Sequence, residues 1–257
     1  MLVHIVTQEN RSAYEDYLNQ MFEMRRRVFI EKLGWEALTA PYGRERDFID
    51  ESDAVEYLLT LDDFGNLIGS GRFGPTTTPH LLSGPLKHFA ERDYEPGPSC
   101  WEFTRYIPTE HDDSPCKLQG RAYILTAMVE WAIRRGVRRV LGISPMETLA
   151  FTGRMGWRNG LVGMPIEYQP GQSAVGMHFD LDRESLASTR RFWQLEGPVT
   201  FQPLASAEPW TPQTAAALDV LVHAEEGPLP DDVASALDLD RADSDTRREE
   251  IRRRAVG

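Results

Sequence analysis

MFEMRRRVFIEKLGW (residues 21–35), GRERDFID (43–50) and WEFTRY (101–106) put charge where a folding chain normally hides apolar surface. The first stretch falls in a helix predicted from Asn10 or Ser12 to about Glu31. Tyr14, Leu18, Met21, Phe22, Val28 and Phe29 form one stripe along it at helical spacing. Arg25 lies at the centre of that stripe, whereas Arg26 and Arg27 turn toward solvent. A guanidinium facing the core must be paired. Two readings stay open: a structural buried ion pair, or an anchor for an anionic or carboxylate-bearing ligand. Gly34 is the expected C-terminal stop of the helix. The acidic segment that follows carries Glu45, Asp47, Asp50, Glu51 and Asp53, which are candidate partners for Arg25.

Outward from these stretches, strands are expected over residues 2–6, 55–61, 67–73, 100–107, 137–144 and 174–181. A turn at 62–66 joins the second and third of these. Helices are expected over 122–135, 146–155 and 183–194, with a short one at 83–91 and a loop over 159–172. This mixture predicts an α/β (α+β) domain. Gly69 and Gly71 point to a bulge or a close backbone approach. Strict alternation along 100–107 puts Glu102 and Arg105 on opposite faces, so the two serve one pocket only if the strand bulges, bends or splays. Gln119-Gly120-Arg121, ahead of the helix at 122, has the look of a loop that presents backbone N–H groups to phosphate.

The chain has 257 residues and a net charge of −12, from 28 basic and 40 acidic side chains. Residues 206–257 hold 12 acids and 6 arginines, half of the excess, which predicts a body over 1–205 and an acidic extension over 206–257. Within the extension, helices are expected over 212–226 and 230–239. The acidity argues against nucleic acid as a partner. No apolar run is long enough to span a membrane, and the N-terminus lacks a signal pattern, so a cytoplasmic protein is expected. Cys100 and Cys116 fit no disulfide framework or metal motif, and the six histidines are scattered, so no metal site is expected. Arg134, Arg135, Arg138, Arg139, Arg154 and Arg158 form a basic cluster suited to an anionic donor, or else a solvated helix end.

Taken in order, the three stretches resemble the acyl-homoserine-lactone synthase family. The matching residues are Arg25 four positions before Phe29, then Trp35, then Glu45, Asp47 and Asp50, then glycine-preceded Arg72, then Glu102 and Arg105. PTTTPHLL, after Arg72, also matches. The resemblance covers residues 1–195 and thins beyond Ser144. Phe48-Ile49-Asp50 replaces the family's tyrosine–aspartate pair, METLAFTGRMGW is two residues longer than usual, and the extension has no counterpart.

The resemblance implies a fold similar to the GNAT acyltransferases: a mixed, twisted sheet with two central strands splayed apart and helices on both faces. It implies acylation of the α-amine of S-adenosylmethionine by an acyl-carrier-protein or acyl-CoA thioester, then lactone closure with release of methylthioadenosine. These are substrates, and no cofactor is implied. Glu102 is the expected base. Arg25 and Arg105 are expected on the methionyl carboxylate, with Asp47, Asp50, Phe29 and Trp35 as the wall for the sulfonium. Arg72 is expected to tie the carboxylates together, Glu45 to sit among them, and Ser144 to touch substrate near the acyl chain. A backbone N–H of the splayed strand is the expected oxyanion donor. Two other readings remain: a related N-acyltransferase with a different amine, which would not need Arg25, Asp47 and Asp50, and a catalytically silent relative that binds a ligand or partner.

Overall fold

The computed structural model describes residues 1–202 except 36, 92–93 and 111–113. The acidic extension and its two expected helices lie outside the described residues. Among the described residues, nine strands form one mixed sheet. β1 (Leu2–Val6), β2 (Glu56–Leu61), β3 (Leu67–Pro75) and β4 (Cys100–Ile107) run antiparallel in sequence order, and β4 then pairs in parallel with β5 (Arg139–Ser144). Beyond β5 come β8 (Gln172–Asp180) and β6 (Arg158–Leu161), while β7 (Ile166–Gln169) pairs with β8 alone. β9 (Thr200–Phe201) adds in parallel to the free edge of β1.

All six residues of β2 are buried, because both faces of the sheet are covered. Leu58 packs into the core under α2 (Ser114–Arg134), with Val3, Ile5, Ile124 and Met128. Tyr57 and Leu59 pack on the opposite face with Leu18, Met21 and Phe22 of α1 (Glu15–Arg25). A strand buried on both sides loses the alternation of apolar and polar residues, as in the Tyr57-Leu58-Leu59 run of β2. α3 (Glu147–Arg154) and α4 (Arg183–Trp193) complete the helices.

The expected helix from 10 to 31 is a composite. A 3₁₀ turn over Arg11–Tyr14 leads into α1, which widens into a π-helix over Arg26–Lys32. The amide of Leu33 bonds the carbonyl of Val28, five residues back, before Gly34 takes a φ of 67° and stops the helix. The expected helix at 83–91 is two 3₁₀ turns, Leu81–Ser83 and Lys87–Phe89. The expected loop at 159–172 takes in most of β6 and all of β7, and both are peripheral strands with little buried surface to give them a period.

The phosphate-loop reading of 119–121 does not hold. α2 begins at Ser114 and takes these residues into its second turn. Gly120 is there for space: a Cβ on it would lie 2.1 Å from the carbonyl oxygen of Pro108.

The conflict between Glu102 and Arg105 is resolved twice over. Ser70 and Arg72 of β3 face Ile107 and Thr104 of β4, so β4 carries one extra residue there. Arg105 sits in this bulge with φ 53°, a left-handed conformation that turns its side chain away from strict alternation. On the other side, β4 pairs with β5 only from Cys100 to Glu102, against Arg139 to Leu141. Beyond that point the two strands part, which is the expected splay.

Candidate active site

Three arginines, from α1, β3 and β4, meet three carboxylates of the segment 45–50 beneath the N-terminal helix. Arg25 ends α1 and is completely buried, with Nε 2.5 Å from Glu45 Oε2 and its two terminal nitrogens each 3.0 Å from an oxygen of Asp50. The loop holding these acids is tied to α1 by the bond from the Glu45 amide to the Phe22 carbonyl. Asp47 and Asp50 cap their own turn: Asp47 Oδ1 accepts from the Ile49 amide, and Asp50 Oδ2 accepts from the Asp47 amide, both at 2.9 Å. The D-x-x-D spacing is therefore a local folding signal as well as a charge pair.

The other two arginines close the network. Arg105 Nη2 donates to Glu45 Oε1 (2.8 Å) and Asp47 Oδ2 (3.0 Å). Arg72 Nη1 lies 2.5 Å from Asp47 Oδ1 and 3.1 Å from Asp50 Oδ1, and its Nε donates to Thr104 Oγ1 at 3.0 Å. Tyr57 donates its hydroxyl to Asp50 Oδ1. Burial alone would raise the Asp50 pKa, but the charges of Arg25 and Arg72 outweigh it and hold the carboxyl well below the usual range. Burial likewise pulls Arg25 down, and Asp50 and Glu45 more than restore it.

Three positive and three negative side chains leave this network neutral. Arg72 Nη2, however, is buried with no hydrogen-bond partner. Arg72 lines a small cleft with Ile49, Thr78, His80, Glu102 and Thr104. An unspent guanidinium donor beside a cleft is chemistry left for something that enters it.

Glu102 stands in that cleft as the one carboxylate outside the neutral network. Its two oxygens accept from the amides of Leu81 and Leu82, each at 2.9 Å. Burial raises its pKa, and the two amides, His80 and Arg72 only partly offset that. A carboxylate with a raised pKa in a cleft is suited to taking up a proton.

The aromatic wall adjoins the network. Phe29 and Trp35 stack with ring centres 5.0 Å apart and planes 12° apart, and Arg105 lies over Phe29 at 5.8 Å. Ser144 lies elsewhere, past the end of the β4–β5 pairing, with Oγ 2.6 Å from Thr148 Oγ1. Three of the six arginines of the expected basic cluster pair with acids: Arg135 with Glu56, Arg139 with Asp180 and Arg158 with Asp182, while Arg154 lies over Phe192. His80, at the cleft wall, is a polar residue that the sequence did not single out. A lone histidine in a Thr/Pro-rich stretch carries no spacing signal.

The family model for autoinducer synthase matches residues 9–189, which contain the arginine–carboxylate network, Glu102, Phe29, Trp35 and Ser144. The chain belongs to the autoinducer synthase family. An isovaleryl-homoserine lactone synthase of Bradyrhizobium diazoefficiens is 36% identical over 149 residues, which span 57% of this chain and 64% of that protein. An acyl-homoserine-lactone synthase of Ralstonia solanacearum is 30% identical over 171 residues, 64% of this chain and 82% of that protein. Among solved structures, a CoA-dependent acyl-homoserine lactone synthase with SAM and isopentyl-CoA superposes with a TM-score of 0.69 at 26% identity, covering 91% of this chain and 98% of that one. The acyltransferase fold expected from the sequence is therefore the fold found. Among the described residues no helix is long and apolar enough to cross a membrane, and no group of three histidine, cysteine or acidic side chains is placed to hold a metal ion.

Proposed function

We propose that this autoinducer synthase is an acyl-homoserine-lactone synthase that uses S-adenosylmethionine and an acyl thioester. The single observation that carries the reading is Glu102: a buried carboxylate with a raised pKa, held by two amides beside a neutral arginine–carboxylate network. With its amine protonated, S-adenosylmethionine has one carboxylate and two positive centres, a net charge of +1. The site with ionised Glu102 has a net charge of −1, so the two are complementary.

In this proposal Glu102 takes a proton from the ammonium, directly or through one water. The freed nitrogen attacks the thioester carbonyl. A C–N bond forms, the C–S bond breaks, and the thiol leaves with a proton. Backbone N–H groups of β4 beyond Glu102, where β5 no longer pairs, are the proposed oxyanion donors. The methionyl carboxylate then attacks its own γ-carbon. A C–O bond forms as the bond from that carbon to the sulfonium breaks, and neutral methylthioadenosine departs.

The open Nη2 of Arg72, with Arg105, is the proposed seat of the methionyl carboxylate. Asp47, Phe29 and Trp35 form the proposed wall for the sulfonium. Arg25 was expected on the carboxylate. Its Nε and both terminal nitrogens are engaged by Glu45 and Asp50, so with these two acids it forms the scaffold that aims Arg72 and Arg105. Ser144, on the splayed end of β5, is the proposed contact for the acyl group.

Similarity to a CoA-dependent structure favours acyl-CoA as the donor over acyl-carrier protein. The test is to give the purified chain S-adenosylmethionine with a panel of acyl-CoA and acyl-carrier-protein thioesters. Acyl-homoserine lactone and methylthioadenosine in equal amounts are expected with at least one CoA donor. No lactone with any donor overturns the reading.

A further inference from the structure

Glu102 takes both its amide bonds from one short turn, and that turn is held by a side chain at the cleft wall. His80 is 4% exposed and precedes the 3₁₀ turn Leu81–Ser83. Its Nδ1 lies 2.8 Å from the carbonyl oxygen of Thr78. A carbonyl only accepts, so Nδ1 carries the proton. In the neutral ring Nε2 is then the acceptor, and the Tyr94 hydroxyl donates to it at 2.5 Å. Tyr94 stays protonated, because burial, with the charges of Glu102 and Cys100, pushes its pKa up to about 12. The backbone of His80 is also fixed: its amide bonds Ser83 Oγ, and its carbonyl accepts from the Ser83 amide and hydroxyl. The residue is thus pinned on both sides of its ring and at both ends of its peptide unit.

We propose that His80, braced by Tyr94, is a positioning residue for Glu102: it locks the turn whose Leu81 and Leu82 amides grip the carboxylate. The inference rests on the reading of Glu102 as the base. Burial favours the neutral acid, whereas the two amides and, after them, His80 and Arg72 favour the anion. The other titratable groups near it are Arg72 from β3, Cys100 from β4, His80 and Tyr94. Loosening the turn removes amide bonds and leaves burial in place. The pKa of Glu102 then rises, and a larger fraction of the enzyme holds an already protonated base at a given pH.

The experiment is the pH profile of kcat/KM for the full chain and four variants, together with ¹³C NMR titration of labelled glutamate carboxyls assigned by difference against Glu102→Gln. His80→Ala is expected to move the acidic limb, and the Glu102 resonance midpoint, up by about one unit. Its rate then falls about tenfold below the limb and approaches that of the native chain at high pH. His80→Asn keeps a donor toward the Thr78 carbonyl and is expected to return most of the shift. Tyr94→Phe removes only the donor to Nε2, and a smaller shift in the same direction is expected. Tyr94→Phe leaves the His80 ring in place, so a shift in that variant comes through the turn. It carries the test if His80→Ala fails to fold. A rate lowered equally at all pH values, or an unmoved limb and resonance, overturns the proposal. Full activity in Glu102→Gln overturns the base reading instead, so the two failures are distinct.

Discussion

Replacing Arg25 with methionine keeps the length and apolar stem of the side chain and deletes its charge. The change removes three charge-assisted hydrogen bonds at a position with no solvent exposure. Removing one partner of a buried ion pair costs about 3–5 kcal/mol, because the remaining charge stays buried. Here the orphaned acids keep other partners: Glu45 keeps Arg105, and Asp50 keeps Arg72 and Tyr57. The expected cost is therefore at the low end, about 3 kcal/mol. For a domain of this size each kcal/mol moves Tm by about 2–4 °C, so a fall of about 6–12 °C is expected by calorimetry at pH 7.5.

The same variant carries a pH signature. The folded Asp50 pKa lies below the unfolded value of about 3.9, so its contribution to stability is complete above that pH and is lost as pH falls through the folded value. Arg25 is a principal cause of the depression, so the native chain loses more than the variant in acid. The gap in unfolding free energy should narrow from about pH 4 downward. A loss below 1 kcal/mol at pH 7.5, or a gap unchanged at pH 3, refutes the reading of Arg25 as the buried keystone of the network.

Gly120→Ala places a methyl against the Pro108 carbonyl, which cannot swing aside like a side chain, and a loss of about 3 kcal/mol or failure to accumulate is expected. A Tm within 1 °C of the native chain contradicts the close approach of α2 to the end of β4. Trp35→Ala removes the outer ring of the stacked pair, and calorimetry should show S-adenosylmethionine binding weakened about fivefold, from about 1 kcal/mol of lost cation–aromatic contact. Unchanged affinity with a lowered Tm assigns the ring to packing alone.

The groups legible in the sequence were those whose placement breaks a pattern. Arg25 breaks an apolar stripe, and its burial by Glu45 and Asp50 follows from the need to pair it. Glu102 and Arg105 break strand alternation, and the demand for a bulge or splay is met by the left-handed backbone at Arg105 and the early end of β4–β5 pairing. Features that obey no period stayed hidden. β6 and β7 are short and half-exposed at the sheet margin, so their stretch of prolines and glycines reads as a loop. Gly120 reads as a helix boundary because the carbonyl that requires it is twelve residues away in sequence. His80 acts through backbone geometry, which a single sequence does not display. Arg25 shows the limit from the other side: its burial was readable, but whether it faces a ligand or a carboxylate of the same chain depended on which acids the loop delivered.

The measurement closest to the central claim is methylthioadenosine release by the native chain and by Glu102→Gln, with saturating S-adenosylmethionine and the best acyl-CoA donor. General base catalysis contributes about 10²–10⁴-fold, so kcat should fall by at least a hundredfold while S-adenosylmethionine still raises Tm. A variant that keeps more than a tenth of the native rate contradicts the assignment of proton removal to Glu102.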